Sequence, residues 1–489
     1  MGVSILWKNG TATRKERISF AVFRDCGLAS LLNEDTVRLL WTPCAGEELV
    51  ARQEVFRARE TPAAADTFET LYACLCTLEK RRAQEKETER MPERYWHFLR
   101  MFDGYLALLS AASALKTESL LLNNLHCYAE ERLQELQTVA PLLDEYRELL
   151  RTLSTYTLSL RRGHPFLTME SKPEGVFDEL LRCGASLGFL SGERRSASLG
   201  LSEALQIALV QANERQFDRL RELHERLSPC MDLSLLRLKP EVCFYRDVRG
   251  LITKMDAKRV PRCYPRVAMS PLLEAKQLYN VALYAAGRTE IVPNDASFSP
   301  DERLFFVTGA NGGGKTTYLK TVVLNLLLFL GGCPVFGQSA EIYPFSCVYT
   351  HFPADETTGS GRLADEERRV QRILEELPPE AFVFLNETFT GANEEIGIRL
   401  SLQTMRALRE KDAFGLFVTH FHALEAEEFP VLSAVVEGEG NKRLYRIRRS
   451  NTAESSYAQD ILEMHHLDEE SLRDFLKTYR KIYGGEDAL

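Results

Sequence analysis

A glycine-rich segment between two apolar runs constrains the fold of this chain more than any other feature. Gly309-Ala310-Asn311-Gly312-Gly313-Gly314-Lys315-Thr316 fits the pattern GxxxxGK[ST]. The apolar residues 304–307 before it predict a strand, and the residues after it predict an apolar helix. Glycines at these positions let backbone N–H groups converge on phosphate oxygens, and the N-terminal end of the helix points its positive end at them. The segment therefore predicts a phosphate-binding loop between a strand and a helix.

The residue types of this loop fit contacts to ATP. We expect Lys315 to bridge the β- and γ-phosphates and the hydroxyl of Thr316 to ligate Mg²⁺. The residues predicted to surround the phosphates are Gly309, Asn311, Gly312, Gly313, Gly314, Lys315, Thr316 and Thr317. A glycine-rich turn without a ligand is the alternative, and the strand and helix on either side favour the phosphate site.

Two later apolar runs end in polar residues that suit ATP hydrolysis. Residues 382–385 lead into Asn386 and Glu387, which is the layout of a Walker B motif. Glu387 is placed to polarise the attacking water, and Asn386 stands where the motif has an aspartate that reaches Mg²⁺ through water. Residues 416–418 lead into Thr419 and His420, which matches the switch histidine that senses the γ-phosphate in ABC-type ATPases. The order of these elements predicts Lys315, Glu387 and His420 as the catalytic residues.

The chain changes character near residue 260. Before that point, residues 94–160 and 201–227 place apolar side chains at spacings of three and four, which is typical of helices, and a short strand is expected at residues 3–7. After it, short β-rich runs alternate with helices, which predicts an α/β domain with a buried parallel sheet. We therefore predict a mainly α-helical domain at 1–262, an α/β P-loop ATPase domain at 263–468 and a C-terminal helical tail at 469–489.

Composition limits the class of protein further. The hydrophobic fraction of 45% and the charged fraction of 27% are typical of a soluble globular protein. No apolar run reaches the roughly 18 residues that span a bilayer, and residues 322–330 are expected to form a buried helix. No secretory signal is apparent at the N-terminus, so we expect a cytoplasmic protein without a membrane partner. The 11 cysteines include no CxxC pair, which favours reduced thiols over a zinc site.

Several segments, in order along the chain, resemble the MutS family of DNA mismatch repair ATPases. They are Ile291-Val292-Pro293-Asn294-Asp295, the loop at 309–318, Gly332-Cys333-Pro334-Val335, Ile342-Tyr343-Pro344, Ser360-Gly361-Arg362, Gly391 with Gly397, and Ser455-Ser456-Tyr457. The resemblance covers residues 270–468 and implies an ABC-type ATPase fold. It also implies that Ile291, Val292 and Asn294 contact the adenine, and that Ser360 meets the nucleotide of a partner subunit. Residues 49–55 resemble the start of the MutS core domain, which implies that the N-terminal helices form a core and lever arms.

The chain departs from the family pattern at three places. Asn386 replaces the Walker B aspartate and lacks its negative charge, so we expect slow hydrolysis unless Asp355 or Glu356 serves the metal. Leu363-Ala364-Asp365 stand where the family has Ser-Thr-Phe. We also expect the N-terminal mismatch-recognition domain of the family to be lacking.

Three functions are compatible with these features. The first is a MutS-like ATPase that forms a homodimer around two ATP molecules and couples hydrolysis to movement of helical arms on DNA. The second is a nucleotide-dependent binding module with little hydrolysis and a protein partner, and the third is an unrelated P-loop enzyme such as a small-molecule kinase. The presence of both Glu387 and His420 favours the first over the second. A net charge of −9 argues against wholesale coating of DNA but allows a local basic face such as Lys80-Arg81-Arg82. The preferred DNA structure and a MutL-type partner stay open.

Overall fold

The chain divides into two compact units. The computed structural model describes residues 3–8, 17–87, 93–153, 156–161, 164–169, 210–211, 213–353, 362–389, 391–421, 428–437 and 442–449. One unit, here called the helical unit, comprises Met1–Ile5 and Arg57–Val242. The other, the α/β unit, comprises Leu6–Phe56 and Cys243–Leu489.

This division differs from the boundary that the sequence predicted at residue 262, because the segment 6–56 packs with the α/β unit. Cys44 N donates a hydrogen bond of 2.8 Å to Leu330 O, and Thr350 Oγ1 donates one of 2.7 Å to Asp25 Oδ2. The ring of Phe56 lies 4.8 Å from that of Tyr245. These bonds join residues far apart in sequence, which periodicity alone does not encode.

The segment 6–56 contains three helices. They are α1 (Phe20–Asp25), α2 (Glu34–Leu40) and α3 (Gly46–Ala58). Ser19 caps α1 by accepting a hydrogen bond from Ala21 N, and acidic residues in the first turns of α2 and α3 complement the positive ends of those helices.

The helical unit is built from long helices and one hairpin. Its elements are α4 (Pro62–Glu87), α5 (Glu93–Ser113), α6 (Leu120–Gln137), α7 (Ala140–Leu153), β1 (Tyr156–Arg161), β2 (His164–Met169), α8 (Glu214–Leu227) and the start of α9 (Leu238–Asp256). Aromatic rings fill its core, with Phe98 only 4.2 Å from the ring of His224 and Tyr146 fully buried.

Two predictions for this unit were wrong in detail. The helix expected to run to residue 160 ends at Leu153, and Tyr156–Arg161 pair with His164–Met169 as an antiparallel hairpin. The alternation of Thr157, Leu158, Ser159 and Leu160 suits a strand better than a helix. The strand expected at residues 3–7 is also absent from the described residues 3–8. There Ile5 N donates to the buried carboxylate of Glu241 at 2.7 Å, which satisfies the backbone without a neighbouring strand.

The α/β unit contains a six-stranded sheet in the order β12-β11-β6-β10-β9-β8. Its strands are β6 (Leu304–Thr308), β8 (Val348–His351), β9 (Phe382–Asn386), β10 (Phe414–Val418), β11 (Val431–Glu437) and β12 (Lys442–Arg449). Strand β12 is antiparallel to β11, and the other pairings are parallel. Every residue of β6, β9 and β10 is buried, so the predicted buried parallel sheet is confirmed.

The α/β unit also contains a second sheet and four further helices among the described residues. A second sheet has the order β3-β7-β4-β5, formed by β3 (Arg266–Val267), β4 (Leu273–Leu278), β5 (Asn294–Phe298) and β7 (Ser339–Ile342). The helices are α10 (Val281–Ala285), α11 (Lys315–Leu330), α12 (Arg362–Glu376) and α13 (Glu394–Glu410).

Helix α11 is buried along most of its length, as predicted for residues 322–330. Its one amide in that stretch, Asn325, is buried but satisfied: Nδ2 donates to Tyr279 O at 3.1 Å and Oδ1 accepts from Phe336 N at 2.8 Å. Within the described part of the chain, no helix combines the length and the apolar character that a membrane span requires.

The C-terminal end of α11 is held by an arginine from α3. Arg52 is fully buried, and its Nη1 donates to Gly331 O at 3.0 Å while its Nε donates to Leu6 O at 3.0 Å. Its guanidinium also lies 4.1 Å from the centre of the Trp7 ring. Gly332 adopts φ 74°, and a Cβ there would approach the Arg52 side chain to 2.6 Å. A positive charge at this place complements the negative end of α11.

Candidate functional site

The predicted phosphate loop connects β6 to α11, as its sequence required. Gly309, Gly312 and Gly314 have φ values of 108°, 71° and 97°, which side-chain-bearing residues rarely adopt. A Cβ on Gly313 would lie 2.9 Å from both Ala310 O and the Cβ of Ala434 on β11. Glycine is therefore required for this backbone path, which ends at the N-terminus of a 16-residue helix. Such a terminus offers N–H groups and partial positive charge to an anion.

Lys315 lies inside this loop with only 4% of its surface exposed. Its ammonium group donates to Gly309 O at 2.5 Å and to Ala310 O at 3.1 Å, both of which are neutral carbonyl groups. Burial lowers the pKa of Lys315, and the negative charge of Glu387 opposes that shift. A buried cation with few charged neighbours is suited to attract phosphate oxygens.

The two residues predicted to serve Mg²⁺ are in contact. Thr316 Oγ1 donates a hydrogen bond of 2.9 Å to Asn386 Oδ1, which joins the start of α11 to the end of β9. Among the described residues, no cluster of three or more histidine, cysteine or carboxylate side chains could hold a metal ion. Thr316 and Asn386 supply two oxygens, which fits an Mg²⁺ ion that takes its other ligands from phosphates and water.

The predicted catalytic pair Glu387 and His420 also meets. His420 Nε2 lies 3.2 Å from Glu387 Oε1, and both side chains are about one-third exposed, at 34%. The hydrogen bond from His420 lowers the pKa of Glu387, and the charge of Lys315 adds to that effect. Glu387 has φ 49°, and its N–H donates to Val418 O at 2.9 Å. The structure thus presents an ionised carboxylate on a strained turn, with solvent access on one side.

A buried network supports the turn that carries Glu387. His351 Nδ1 lies 3.1 Å from Thr388 Oγ1, and the carboxylate of Glu366 on α12 accepts a hydrogen bond of 2.9 Å from Phe389 N. His351, Thr388 and Glu366 are at most 5% exposed. Phe389 has φ 67°, so the turn contains a second strained residue. We infer that this network holds the backbone of Glu387 in place.

The loop that carries His420 packs on α13. A Cβ on Gly397 would come within 2.2 Å of the Phe421 ring, so only glycine leaves room for that ring. Phe421 N donates to Thr419 Oγ1 at 3.1 Å. Asn393 caps α13 by accepting from Ile396 N at 2.9 Å. Residues on either side of His420 are therefore anchored, which limits the positions open to its ring.

The segment predicted to contact adenine is tied to the edge strand β12. Asn294 Nδ2 donates to Tyr445 O at 3.0 Å, and Asn294 Oδ1 accepts from Ile447 N at 2.7 Å. The amide of Asn294 is therefore used by the protein backbone rather than left open to a base. Ile291 and Val292 are half-buried in the segment that precedes β5.

Tyr445 is a site candidate that the sequence analysis missed. It has φ 53°, is 49% exposed, and its ring lies 3.5 Å from where a Cβ on Gly314 would be. Its ring therefore stands beside the phosphate loop, next to the segment that contains Asn294. The signal available in the sequence is an aromatic residue among alternating basic and apolar residues at 443–449, a pattern that predicts an ordinary half-exposed strand.

Two further predicted site residues, Thr317 and Asn311, lie at the start of α11 and in the loop before it, and others are outside the described residues. Thr317 is half-buried in the first turn of α11, where its carbonyl accepts from Asn280 Nδ2 at 3.4 Å. Asn311 Oδ1 lies 3.4 Å from the Lys315 ammonium. Ser360, the alternative carboxylates Asp355 and Glu356, and the motif Ser455-Ser456-Tyr457 lie outside the described residues.

Comparison with known proteins identifies the domain that contains this site. Residues 305–473, which include the phosphate loop, Glu387 and His420, match the family described as MutS domain V. The C-terminal part of this chain is similar to domain V of the MutS family. Because the match begins inside β6, the MutS domain V includes most of the six-stranded sheet described above.

Curated proteins of the MutS family are similar to part of this chain. An endonuclease MutS2 of Solidesulfovibrio magneticus is 29% identical over 233 residues, which cover 46% of this chain and 30% of that protein. The DNA mismatch repair protein MutS of Thermus thermophilus is 31% identical over 189 residues, covering 37% of this chain and 23% of that protein. The MutS of Thermus aquaticus matches with the same identity and coverage. The chain thus spans less than a third of the length of these relatives.

Proposed function

We propose that this chain is an ATPase of the ABC class that binds ATP with Mg²⁺ at the loop 309–317. One observation carries the proposal. Lys315, the Thr316–Asn386 pair and the Glu387–His420 pair lie together after the carboxyl ends of the neighbouring strands β6, β10 and β9. The match of residues 305–473 to MutS domain V supports it. Phosphate loops occur in enzymes with many different reactions. A carboxylate paired with a histidine next to the loop favours hydrolysis, because the carboxylate can orient the attacking water.

Each residue has a distinct task in this proposal. Lys315 and the N–H groups of the loop neutralise the β- and γ-phosphates, and Glu387 orients a water molecule for attack on the γ-phosphorus. The bond between that phosphorus and the β–γ bridging oxygen breaks, which yields ADP and phosphate. His420 holds Glu387 ionised and reports the presence of the γ-phosphate. Thr316 and, through water, Asn386 would hold Mg²⁺, which neutralises phosphate charge when bound.

The neutral Asn386 sets the expected rate. An aspartate would attract the metal by charge, but the Asn386 amide offers only an oxygen dipole. We therefore propose slow hydrolysis.

The same observation favours a second candidate, a nucleotide-dependent binding module with a protein partner. Turnover measured on the wild-type chain separates the two, because the module would bind ATP without releasing phosphate at a measurable rate.

We further propose that the site is completed by a second copy of the chain. In an ABC-type dimer, Ser360 would face the phosphates of the partner subunit. ATP would then belong to the interface, and its hydrolysis would weaken the homodimer. The relatives are named as mismatch repair proteins and as an endonuclease, so we propose DNA as the polymer on which the cycle of this chain acts.

One pair of variants tests the nucleotide site and the dimer. Lys315→Ala removes the buried ammonium, so binding of a fluorescent ATP analogue should be lost, while the matched Lys320→Ala on the same helix should bind normally. Glu387→Gln removes the carboxylate but keeps its shape, so ATP should persist and light scattering should detect a dimer. Unchanged affinity in a folded Lys315→Ala variant would contradict the ATP site. A Glu387→Gln chain that stays monomeric at saturating ATP would contradict the composite site.

A further inference from the structure

A basic groove lies on the helical unit between α4 and α5. It encloses about 360 Å³ and is lined by Thr77, Lys80, Arg81, Gln84 and Arg100. The four α4 residues stand at spacings of three, four and seven, which places them on one face of the helix. Arg100 faces them from α5. Each of the five side chains can donate a hydrogen bond, and none of them is a carboxylate.

The central cation of this groove is held in place. Arg81 Nη1 donates to Arg100 O at 2.5 Å, and a Cβ on Gly104 would lie 3.1 Å from that same nitrogen. The absence of a side chain at Gly104 therefore makes room for the guanidinium group of Arg81. An arginine fixed in this way loses little additional side-chain freedom when it binds an anion, because its fork of N–H groups is already oriented.

The carboxylates nearest in sequence are already engaged. Glu79 pairs with Lys239, and Glu85 pairs with Arg94. No ion pair links Lys80, Arg81 or Arg100 to a carboxylate among the residues that the structure describes. The groove thus carries three positive charges that no carboxylate of the described part of the chain neutralises, although the chain as a whole has a net charge of −9. Local positive potential of this kind attracts anions whatever the net charge.

We propose that the α4–α5 groove binds the phosphodiester backbone of a nucleic acid. From Thr77 to Gln84 the lined face of α4 extends about 10 Å, at 1.5 Å per residue, which exceeds the size of one phosphate group. Proteins contact nucleic-acid phosphates with lysine, arginine, hydroxyl and amide groups, and these contacts do not depend on base sequence. The groove offers donors of these kinds and no carboxylate that would repel a phosphate. Trp96, which is 36% exposed, stands one turn from Arg100 on the same face of α5. This inference rests on the proposal that the chain acts on DNA, and it locates a contact surface for that DNA.

Binding of a labelled 30-base-pair duplex and of a 30-nucleotide single strand tests this site in the full chain. The variant Lys80→Ala with Arg100→Ala removes two groove charges and leaves the fixed Arg81 in place. The control, Arg151→Ala with Arg221→Ala, removes one charge from α7 and one from α8 of the same unit, where each arginine pairs with a carboxylate of its own helix. Basal ATP turnover and the thermal melt should match the wild type in both variants.

We expect several-fold weaker binding for the groove variant and unchanged binding for the control. The slope of log affinity against log salt should fall by about 1.8 for duplex DNA, which is 0.9 for each lost phosphate contact. Trp96 fluorescence should change on binding, and Trp96→Phe should abolish that change. Unchanged affinity and slope in the groove variant would overturn the groove but leave DNA binding intact.

Two other outcomes separate the competing explanations. A wild-type chain that binds neither nucleic acid would overturn the groove together with the DNA part of the proposed function, whereas ATP binding would remain a separate question. Poly-glutamate that binds with the same dependence on Lys80 and Arg100, in the absence of any nucleic-acid binding, would indicate an acidic protein partner and overturn the proposal.

Discussion

The hydroxyl of Thr316 donates a hydrogen bond of 2.9 Å to the amide oxygen of Asn386. This contact links the first turn of α11 to the end of β9, across two elements that are separated by 70 positions in the chain. Both side chains are uncharged, so the proposed Mg²⁺ site lacks a fixed negative charge from either of them. The chemistry of this pair therefore sets the strength with which the protein itself can hold the metal.

Asn386→Asp should raise the affinity for Mg²⁺ and the rate of ATP turnover. The substitution adds an anionic oxygen that still accepts from Thr316, and charge-assisted contacts are roughly twice as strong as neutral ones. Titration of turnover against Mg²⁺ concentration measures both effects. Thr316→Val provides the opposite change, because it removes the hydroxyl that would ligate the metal. In this variant, Mg²⁺ should increase the affinity for ATP less than it does in the wild type. If Asn386→Asp leaves both quantities unchanged, another carboxylate such as Asp355 or Glu356 already serves the metal.

Tyr445→Ala should weaken ATP binding, while Tyr445→Phe should keep it. The Tyr445 ring stands beside Gly314 and next to the Asn294 segment, so we expect it to flank the nucleotide. A contact through the face of the ring is worth about 1–3 kcal/mol per base and does not need the hydroxyl. Equilibrium binding of a fluorescent ATP analogue checks this order. Equal losses in both variants would instead assign the effect to the phenol oxygen.

The stability of the chain should fall as the pH drops from about 6.5 to about 4, and His351 should account for part of that loss. Burial lowers the pKa of His351 to about 4 in the folded chain, whereas an unfolded histidine titrates near 6.5. Between these values the unfolded state binds more protons, so the free energy of unfolding rises with pH. The full effect is on the order of 3 kcal/mol, at 1.36 kcal/mol per pKa unit.

Denaturant unfolding at pH 7 and pH 5 tests this prediction. His351→Gln lacks the titrating ring, so its difference in stability between the two pH values should be smaller than that of the wild type by about 2 kcal/mol. Burial also lowers the pKa of His224, which contributes in the same direction in both proteins and cancels in the comparison. An identical pH dependence in the variant and the wild type would show that His351 is not the group responsible.

Arg52→Met should lower the free energy of unfolding by about 3 kcal/mol, because it removes two buried hydrogen bonds that a charged side chain donates to Leu6 O and Gly331 O. Methionine is of similar length, so loss of volume contributes little. Arg57→Met, on the exposed side of the same helix, should lower the free energy of unfolding by less than Arg52→Met does. Chemical denaturation of the three proteins gives both numbers. A loss in Arg52→Met no larger than in Arg57→Met would show that the two hydrogen bonds stabilise little.

The local elements and the chemistry at their ends could be predicted from the residues of each segment. Strong apolar runs predicted β6, β9 and β10, and the glycine pattern predicted the loop before α11, because strand burial and backbone freedom depend on the residues of the segment itself. The alternation at 156–161 was also present in the sequence, but the helical spacing of the residues before it concealed the change from helix to hairpin.

The contacts between distant residues, in contrast, depend on how the elements pack together. The strand order places β11 beside β6, and β12 beside β11, which brings Tyr445 to the phosphate loop although it lies 131 positions after Gly314 in the chain. The packing of Arg52 at the end of α11 and the basic groove between α4 and α5 arise in the same way. Hydropathy and spacing describe one segment at a time, whereas these contacts depend on the pairing of segments, which the hydrogen bonds and packing of the whole unit select.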